Sequence, residues 1–348
     1  MKAVTFHEHG GPEKLIYEEV PFPKVGHEEI LVRVKACALN HLDIWLRQGI
    51  PSYKIALPHI SGCDVSGVIE KVGAAYAGHL TPGQSVFVMP GMSCGNCSEC
   101  LVGKDNQCPD YQIIGAQRNG GYAEYVNVPS INVFPLPKNL TFEQGAAFPL
   151  VSVTAWHMVK TLGDVQSGDT VLVTGAGSGV GSMAIQMANL LGARVITTVG
   201  VADKVEKARM LGADEVLNHS EENIAERTAA LTQGRGVNVV IDNIGQKVWE
   251  ECLRSLGRGG RLVTCGATSG GTASFDLRYL YSRQLTIIGA YMGVRDEFVE
   301  TVRLAETNKL RPIIDSTYSL EDARAAQERM LARKNFGKIV LTVEKPEA

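Results

Sequence analysis

The sequence predicts an all-β region followed by an α/β region built on a parallel, doubly wound sheet. In residues 1 to about 130, short apolar runs alternate with glycine and proline turns, which is typical of strands. From about residue 143, strand-like and helix-like runs alternate with the timing of βαβ units. The 348 residues are enough for two domains, each able to bury its own core.

The strands of the first region are bounded by turn residues. The clearest apolar runs are residues 30–35, 65–69 and 85–89, and turn signals lie at 26–28, 81–84 and 120–121. Residues 1–9 turn polar too soon for a signal peptide, so we interpret them as a first strand.

The second region opens with a predicted helix over 144–162, which Pro149 interrupts. Next come alternating elements and a tail: strand 170–174, helix 182–191, strand 194–199, helix 204–211, strand 215–217, helix 224–231, strand 237–241, helix 248–256, strands 261–265 and 285–289, helices 296–307 and 320–332, and strand 338–343. This alternation indicates a parallel sheet with helices on both faces.

Composition narrows the class of protein. The chain is 45% hydrophobic and 20% charged, its formal net charge is −3, and it has no long basic run. We therefore expect a small-molecule substrate rather than nucleic acid, and no apolar stretch approaches membrane-spanning length. Four of the eight cysteines (Cys37, Cys63, Cys252 and Cys265) are scattered among apolar neighbours, and a reducing cytoplasm suits all eight.

The other four cysteines, Cys94, Cys97, Cys100 and Cys108, stand within fifteen residues. Four thiolates close a tetrahedral shell around zinc and leave no open position, so we predict one structural zinc per chain in a lobe over 91–111. Two disulfides would suit a secreted protein, and four unrelated thiols are a further alternative. An iron–sulfur cluster is another, but seven residues rather than three precede the last cysteine.

A glycine-rich turn lies between the first strand and helix of the α/β region. Glycines let the backbone approach a pyrophosphate, and a helix N-terminus offers free N–H groups. The alternative is a glycine-rich turn in an empty sheet, but the strand–turn–helix context favours dinucleotide binding. The predicted phosphate-binding residues are Gly175, Gly177, Ser178, Gly179, Val180 and Gly181.

The end of the next strand indicates which dinucleotide binds. An NAD site usually has an acidic residue there for the ribose 2′-hydroxyl, whereas this strand ends at Val199 and Gly200. Lys204 follows and could pair with a 2′-phosphate, or lie on a solvated helix face, while Asp203 leaves NAD open. We predict NADP(H).

Several motifs together resemble those of the medium-chain dehydrogenase/reductase superfamily over essentially the whole chain. They are the four-cysteine lobe and residues 62–67, 119–124, 175–181, 259–261 and 337–341. The resemblance implies a Rossmann-type doubly wound parallel sheet inserted in a GroES-like β domain. The GroES-like domain would be 1–148 plus 293–348, and the Rossmann domain 149–292. It also implies a homodimer or homotetramer that pairs through the strand at 285–289.

The resemblance also places the ligands of a second, catalytic zinc. Zinc alcohol dehydrogenases of this family hold it with Cys, His and Cys, and a Glu follows the His. Here those positions correspond to Asn40, Cys63 with Asp64 after it, and Leu150. Asn is a poor zinc ligand and Leu is none, so we predict no catalytic zinc. The alternative is a remodelled metal site formed by His41, Cys63 and Asp64. Without a metal, His41 would be a packed histidine and Cys63 a buried thiol.

The remaining features resemble the quinone oxidoreductase branch, which lacks the catalytic zinc. They are residues 38–40, residues 198–200 followed by Lys204, and residues 242–245. That branch normally lacks the four-cysteine lobe as well, so the chain combines features of two branches.

We predict hydride transfer from NADPH to the activated C=C bond of a quinone, an enone or enal, or an enoyl thioester, without a catalytic metal. Asn40 would orient the nicotinamide ribose or donate to the enolate oxygen, and Tyr53 would be the proton donor or an aromatic wall of the cleft. The resemblance implies further cofactor contacts at Thr154, Gly266, Asn335, Gly337 and Lys338, and the residues that follow the strands add Gly200, Lys204 and Asn243. The alternatives are a zinc-dependent alcohol dehydrogenase with substituted ligands and a non-catalytic NADPH-binding scaffold.

Overall fold

The computed structural model describes residues 1–50 and 53–343, which form two units. The first unit comprises Met1–Leu150, Val294–Phe298 and the described chain from Arg311 onward. The second unit comprises Val151–Gly293 and Val299–Leu310.

The strands are β1 Lys2–Thr5, β2 Ile16–Glu19, β3 Glu29–Ala38, β4 Asp64–Val72, β5 Ser85–Val88, β6 Gly91–Met92, β7 Gln112–Ile113, β8 Tyr125–Pro129, β9 Val133–Pro135, β10 Thr170–Val173, β11 Arg194–Val199, β12 Glu215–Asn218, β13 Val237–Asp242, β14 Leu256–Thr264, β15 Thr286–Gly289, β16 Ile314–Ser319 and β17 Lys338–Thr342. The α-helices are α1 His41–Gln48, α2 Ser98–Leu101, α3 Phe142–Ala147, α4 Pro149–Trp156, α5 Gly179–Leu190, α6 Val205–Met210, α7 Ile224–Leu231, α8 Trp249–Ser255, α9 Leu277–Arg283, α10 Arg295–Glu306 and α11 Ala323–Leu331. A π-helical turn, His157–Leu162, continues α4. Across the described ranges, every helix is too short or too polar to cross a bilayer.

The first unit is built on a mainly antiparallel sheet. Within the described residues its strand order is β16-β17-β3-β4-β5-β9, and β8 also pairs with β3. The ten-residue strand β3 is central, because it pairs with β4, β8 and β17. Branched residues such as Val34, Val65 and Ile339 are at most 1% exposed and form the core beside this strand.

Strand register in this sheet brings distant residues to one place. Ala38 at the end of β3 lies opposite Asp64 of β4 and also opposite Val340 of β17. Asn40, which follows β3, therefore comes close to the first residue of β4 and the first residue of β17.

The prediction that residues 1 to about 130 are all-β is wrong at α1. The helix forms because Asp43 accepts a hydrogen bond from the backbone N–H of Asn40, at 2.8 Å, where the helix begins. Its buried face includes Asp43 and Arg47, so it lacks the apolar periodicity by which a helix is recognised.

The second unit lies wholly within the described ranges and has a sheet of six parallel strands, in the order β12-β11-β10-β13-β14-β15. Helices alternate with these strands along the chain, and the order reverses between β10 and β13. This confirms the predicted α/β fold with a doubly wound parallel sheet.

The predicted boundary at residue 293 differs from the division in the structure, because α10 contributes to both units. Phe298 packs against Phe87 and Phe134 of the first unit, with ring centroids 5.5 and 5.0 Å apart. One turn later, Thr301 Oγ1 donates to Ser152 Oγ of the second unit at 3.3 Å. Residues 299–310 therefore belong to the second unit.

Candidate functional site

The four cysteines of the lobe come together as predicted. Their Sγ atoms all lie within 4.8 Å of one another, with Cys94 Sγ 3.5 Å from Cys108 Sγ and 3.9 Å from Cys100 Sγ. Zinc–sulfur bonds of 2.3 Å in a tetrahedron separate the sulfurs by about 3.8 Å. The donor set thus fits zinc. Over residues 1–50 and 53–343, no other group of three or more His, Cys, Asp or Glu side chains is arranged to hold an ion.

The lobe is anchored through Asp105, which lies between the third and fourth cysteines. The backbone N–H of Arg295, at the start of α10, donates to Asp105 Oδ1 at 3.1 Å. The Arg295 guanidinium lies over the Phe134 ring, 4.8 Å from its centroid. The lobe is therefore attached to the core of the first unit by a side chain of its own.

A second polar cluster lies in the first unit where β3, β4 and β17 meet. It consists of Asn40, Cys63, Asp64 and Lys338, and is called the Lys338 cluster below. Asp64 is 0%, Lys338 4% and Asn40 8% exposed. Lys338 Nζ donates to Asn40 Oδ1 at 2.6 Å and to Asp64 Oδ2 at 2.9 Å.

The remaining polar atoms of this cluster are also paired. Asn40 Nδ2 donates to Asp64 Oδ2 at 2.9 Å and to Cys63 Sγ at 3.2 Å, and the backbone N–H of Leu150 donates to Asp64 Oδ1 at 2.8 Å. Burial raises the pKa of the Cys63 thiol well above its usual range, so this sulfur stays protonated. The amide of Asn40 is thus held in one orientation, and the buried carboxylate has a cationic partner.

A further layer of hydrogen bonds fixes the backbone of Asn40. Asp43 Oδ2 accepts from the Tyr122 hydroxyl at 3.0 Å and from the Asn40 N–H, while Asp43 Oδ1 accepts from the Gly62 N–H at 3.2 Å. Burial raises the pKa of Asp43 to about 6. Gly62 has a φ of +100°, and a Cβ there would lie 2.4 Å from the Tyr122 ring and 2.7 Å from Cys37 Sγ. Only glycine fits this position.

The alternative metal ligands His41, Cys63 and Asp64 are not assembled as a metal site. His41 is exposed at the start of α1, where its ring lies 6.1 Å from that of Trp45. Asp64 is occupied by Lys338, and Cys63 accepts from Asn40. Tyr53 is half-buried in the first unit, and its role stays a prediction.

The glycine-rich turn of the second unit connects β10 to α5 as predicted. Ser178 caps the helix, since its Oγ accepts from the Gly181 N–H at 2.8 Å. Gly175 has a φ of +66°, and a Cβ on Gly181 would lie 2.2 Å from the Gly175 carbonyl oxygen. The turn is therefore as tight as a pyrophosphate cradle requires, and Gly177, Gly179 and Val180 complete it.

Neighbouring strand ends support this turn at the carboxyl edge of the sheet. Asn243 Nδ2 donates to the Thr174 carbonyl at 2.5 Å, and a Cβ on Gly266 would lie 2.5 Å from the Asn243 backbone. Thr154, on α4, has a buried hydroxyl without a hydrogen-bond partner in the described part of the chain. An unpaired buried hydroxyl at a predicted cofactor contact fits a ligand that supplies the missing partner.

Two residues that the sequence did not lead us to predict, His219 and Ser220, lie beside the end of β11. A Cβ on Gly200 would lie 3.2 Å from His219 Nε2, and Ser220 Oγ donates to the Gly200 carbonyl at 2.8 Å. Both residues follow β12, which pairs with β11 up to Val199. The adjacency of carboxyl ends in a parallel sheet could have indicated them. Lys204 ends the short helical turn Ala202–Lys204 nearby in sequence.

The last predicted cofactor residues form the turn before β17. Asn335 Nδ2 donates to the Gly337 carbonyl at 2.8 Å, and Gly337 has a φ of +97° with Ile313 O 2.3 Å from where a Cβ would be. Lys338 comes next, with its ammonium directed at Asp64 and Asn40. This turn thus aims the lysine at the Lys338 cluster.

Comparison with known proteins found two matching family models: an alcohol dehydrogenase GroES-like domain over residues 26–138 and a zinc-binding dehydrogenase over residues 179–307. An NAD-dependent alcohol dehydrogenase from Sulfolobus acidocaldarius is 32% identical over 99% of this chain and 100% of its own. A quinone oxidoreductase from Pongo abelii is 31% identical over 98% and 97%. A crystal structure of an NAD-dependent alcohol dehydrogenase is 43% identical, with a TM-score of 0.95 over 99% of this chain and 100% of that one.

Proposed function

The chain belongs to the medium-chain dehydrogenase/reductase superfamily and is an oxidoreductase, and on that premise we propose that it is an NADPH-dependent reductase without a catalytic metal. Its substrate would carry an activated C=C bond, as in a quinone, an enone or enal, or an enoyl thioester. The observation that carries this proposal is the pairing of Lys338 with Asp64 and Asn40.

The donor set of the Lys338 cluster suits an ammonium better than a second metal ion. Asn40, Cys63 and Leu150 stand where the resemblance implies the zinc ligands of alcohol dehydrogenases. They provide an amide, a thiol whose pKa burial raises, and an aliphatic side chain. Asp64, the carboxylate among them, already has a cationic partner at 2.9 Å. Placing zinc beside that ammonium would add like-charge repulsion.

Bound NADPH would supply the hydride. Without a Lewis acid, little stabilises the alkoxide formed from an unactivated ketone, whereas hydrogen bonds can stabilise the enolate formed from a conjugated carbonyl. An ammonium has three N–H donors, and Lys338 uses two on Asn40 and Asp64. We assign the third to the substrate oxygen. Because the polar atoms of the Asn40 amide are paired within the cluster, its role is to position Lys338 rather than to donate to the enolate.

Tyr53 remains the proposed proton donor to the carbon that does not receive the hydride. Removing a general acid typically lowers the rate by about 10²- to 10⁴-fold. We expect Tyr53→Phe to reduce kcat in that range with KM for NADPH unchanged. A variant that keeps the wild-type rate would exclude proton transfer and leave Tyr53 as part of the cleft wall.

We propose NADP(H) as the cofactor because β11 ends without a carboxylate and is followed by Gly200, near His219 and Ser220. The test compares kcat/KM for NADPH and NADH in the wild type, in Lys204→Ala and in the matched control Lys207→Ala. A preference for NADPH that only Lys204→Ala reduces supports phosphate recognition by this lysine. A wild-type preference for NADH would refute the NADP(H) proposal and identify NAD(H), the cofactor named for the alcohol dehydrogenase relatives, as the cofactor of this chain.

The proposed reaction is tested by a metal count and a substrate panel on one sample. We expect one zinc per chain and NADPH oxidation with at least one quinone, enone or enoyl thioester. Two zinc ions per chain together with alcohol oxidation would establish the zinc alcohol dehydrogenase. NADPH binding without turnover of any substrate would establish the scaffold.

We further propose that the chain forms a homodimer or homotetramer through β15. This strand is at the edge of the second unit's sheet and pairs only with β14 in the described structure. Its residues, including Ile287 and Ile288, are half-buried or exposed, and a bare apolar edge favours pairing with another strand. Light scattering should show a dimer or tetramer that Ile287→Lys dissociates, whereas a monomeric wild type would refute the proposal.

A further inference from the structure

We propose a second anion-binding site, for a small, multiply charged oxyanion, at the amino-terminal edge of the parallel sheet in the second unit. A cavity of about 310 Å³ opens there, called the arginine cavity below. Its charged lining residues are Arg194, Arg235, Arg258 and Arg261. This inference is independent of the proposed function.

The arginine cavity is separate from the phosphate-binding turn because it lies at the opposite ends of the same strands. It is lined by Thr170 and Arg194, which begin β10 and β11, and by Val237, which begins β13. The glycine-rich turn follows the other end of β10, a strand of four residues. At a rise of about 3.3 Å per residue, the two sites are on the order of 13 Å apart.

Two glycine-containing loops hold the exposed arginines of the cavity. In the pairing of β13 with β14, Val237 lies opposite Leu256 and Val239 opposite Arg261, so residues 257–260 bulge out of the ladder. Gly236 has a φ of +78°, and a Cβ there would lie 2.4 Å from the Gly257 nitrogen. This close backbone contact positions Arg235 and Arg258, one on each loop.

Each guanidinium is held at one side by a backbone carbonyl. The donor–acceptor distances are 3.0 Å from Arg194 Nη1 to Leu231 O, 3.3 Å from Arg235 Nε to Thr232 O, 3.1 Å from Arg258 Nη1 to Ser282 O and 2.8 Å from Arg261 Nε to Gly163 O. A guanidinium has five N–H donors, so each retains donors beyond these contacts. Asn238 Oδ1 accepts from the Thr170 N–H at 2.8 Å, which leaves its amide nitrogen as a further donor.

The charge around the cavity is unbalanced. None of its lining residues is acidic. Two carboxylates reach its arginines from outside, Glu215 at 3.5 Å from Arg194 and Asp169 at 3.9 Å from Arg261. Four guanidinium groups against two carboxylates leave an excess of two positive charges, on a chain whose net charge is −3.

This excess charge and the donors define the ligand class. Arginine pairs bidentately with the oxygens of phosphates and carboxylates. A cavity of about 310 Å³ is near the lower limit for small-molecule sites, so the ligand is compact. Pyrophosphate and citrate are suitable probes. Both carry several oxyanion charges, but the charges are on phosphate groups in pyrophosphate and on carboxylate groups in citrate.

Pyrophosphate and citrate are titrated by calorimetry into the zinc-loaded chain, with the phosphate-binding turn filled by one equivalent of NADPH or NADH, whichever binds more tightly. We expect one site for pyrophosphate, weakened at least tenfold in Arg235→Ala/Arg258→Ala. Citrate binding at the same arginines identifies a general oxyanion site, and no citrate binding identifies a phosphate site.

The control variant Arg209→Ala/Arg278→Ala removes the same charge from exposed arginines paired with Glu206 and Asp276. It should bind pyrophosphate like the wild type, and both double variants should keep the wild-type affinity for the nicotinamide cofactor. Equal weakening in the two variants would show non-specific attraction and overturn the proposal. So would the absence of pyrophosphate binding to the wild type at millimolar concentration.

Discussion

The cysteine lobe and the Lys338 cluster are both polar sites of the first unit, but they differ in how charge is balanced. The lobe brings four thiols within 4.8 Å of one another from a span of fifteen residues and offers them to a dication. The Lys338 cluster joins residues up to 298 positions apart and already contains its own cation. We therefore expect the local ligand set to depend on a metal for its structure, whereas the long-range cluster is stabilised by the fold that assembles it.

The largest effect should come from removing the metal of the lobe. Cys100→Ser should lower the zinc content from one ion per chain to nearly none. The melting temperature should fall steeply, because binding to a structural zinc site contributes roughly 10 kcal/mol or more in small peptides. Metal analysis and calorimetry measure both changes, and a matched Cys252→Ser variant should keep its zinc. A Cys100→Ser protein that retains zinc would show that the ion is bound elsewhere.

A smaller loss of stability should follow from removing the cation of the Lys338 cluster. Lys338→Met leaves Asp64 buried without a charged partner, which should lower the free energy of unfolding by about 3–5 kcal/mol. Urea unfolding monitored by circular dichroism measures this change. Zinc content should stay at one ion per chain, which separates the two sites.

Two further variants make the Lys338 result specific. Lys334→Met changes an exposed lysine near the same turn and should shift stability by less than about 0.5 kcal/mol. Asp64→Asn/Lys338→Met should be more stable than Lys338→Met alone, because no buried charge is left unpaired. If the double variant is no more stable, the interaction is not the ion pair that the distances indicate.

The smallest effect concerns Asp43 beside this cluster. Burial raises its pKa from 3.8 to about 6, so the folded state holds this proton more tightly than the unfolded state. Its contribution to stability is fully present below pH 4 and is lost as pH rises through 6. The free energy of unfolding of the wild type minus that of Asp43→Asn should therefore fall by about 2 kcal/mol between pH 4 and 7. Parallel stability curves for the two proteins would contradict the pKa shift.

Features formed by consecutive residues could be predicted from the sequence. The cysteines at 94–108 and the glycines at 175–181 each lie in one short segment, so spacing alone indicated their chemistry. The alternation after residue 143 likewise predicted the parallel sheet, because each of its strands is a short apolar run.

Features that depend on strand register could not be predicted from the sequence. Nothing near Asp64 in sequence indicates that Lys338 neutralises it, since the contact follows from β17 pairing with β3. The arginine cavity was missed for a similar reason, because Arg194 begins β11, Arg235 precedes β13, and Arg258 and Arg261 belong to β14. Helix α1 was missed because Asp43 and Arg47 are buried against expectation.

The position of β17 in the chain has a consequence for biosynthesis. Lys338 is translated 274 residues after Asp64, with the whole six-stranded sheet of the second unit synthesised in between. At a translation rate of about 5–20 residues per second, Lys338 is synthesised roughly 14–55 s after Asp64. The first unit therefore cannot reach its final structure as soon as its amino-terminal part emerges. Its nascent sheet has to stay soluble while residues 36–38 of β3, beyond the part that β8 covers, have no partner strand on that side, until the second unit has been made.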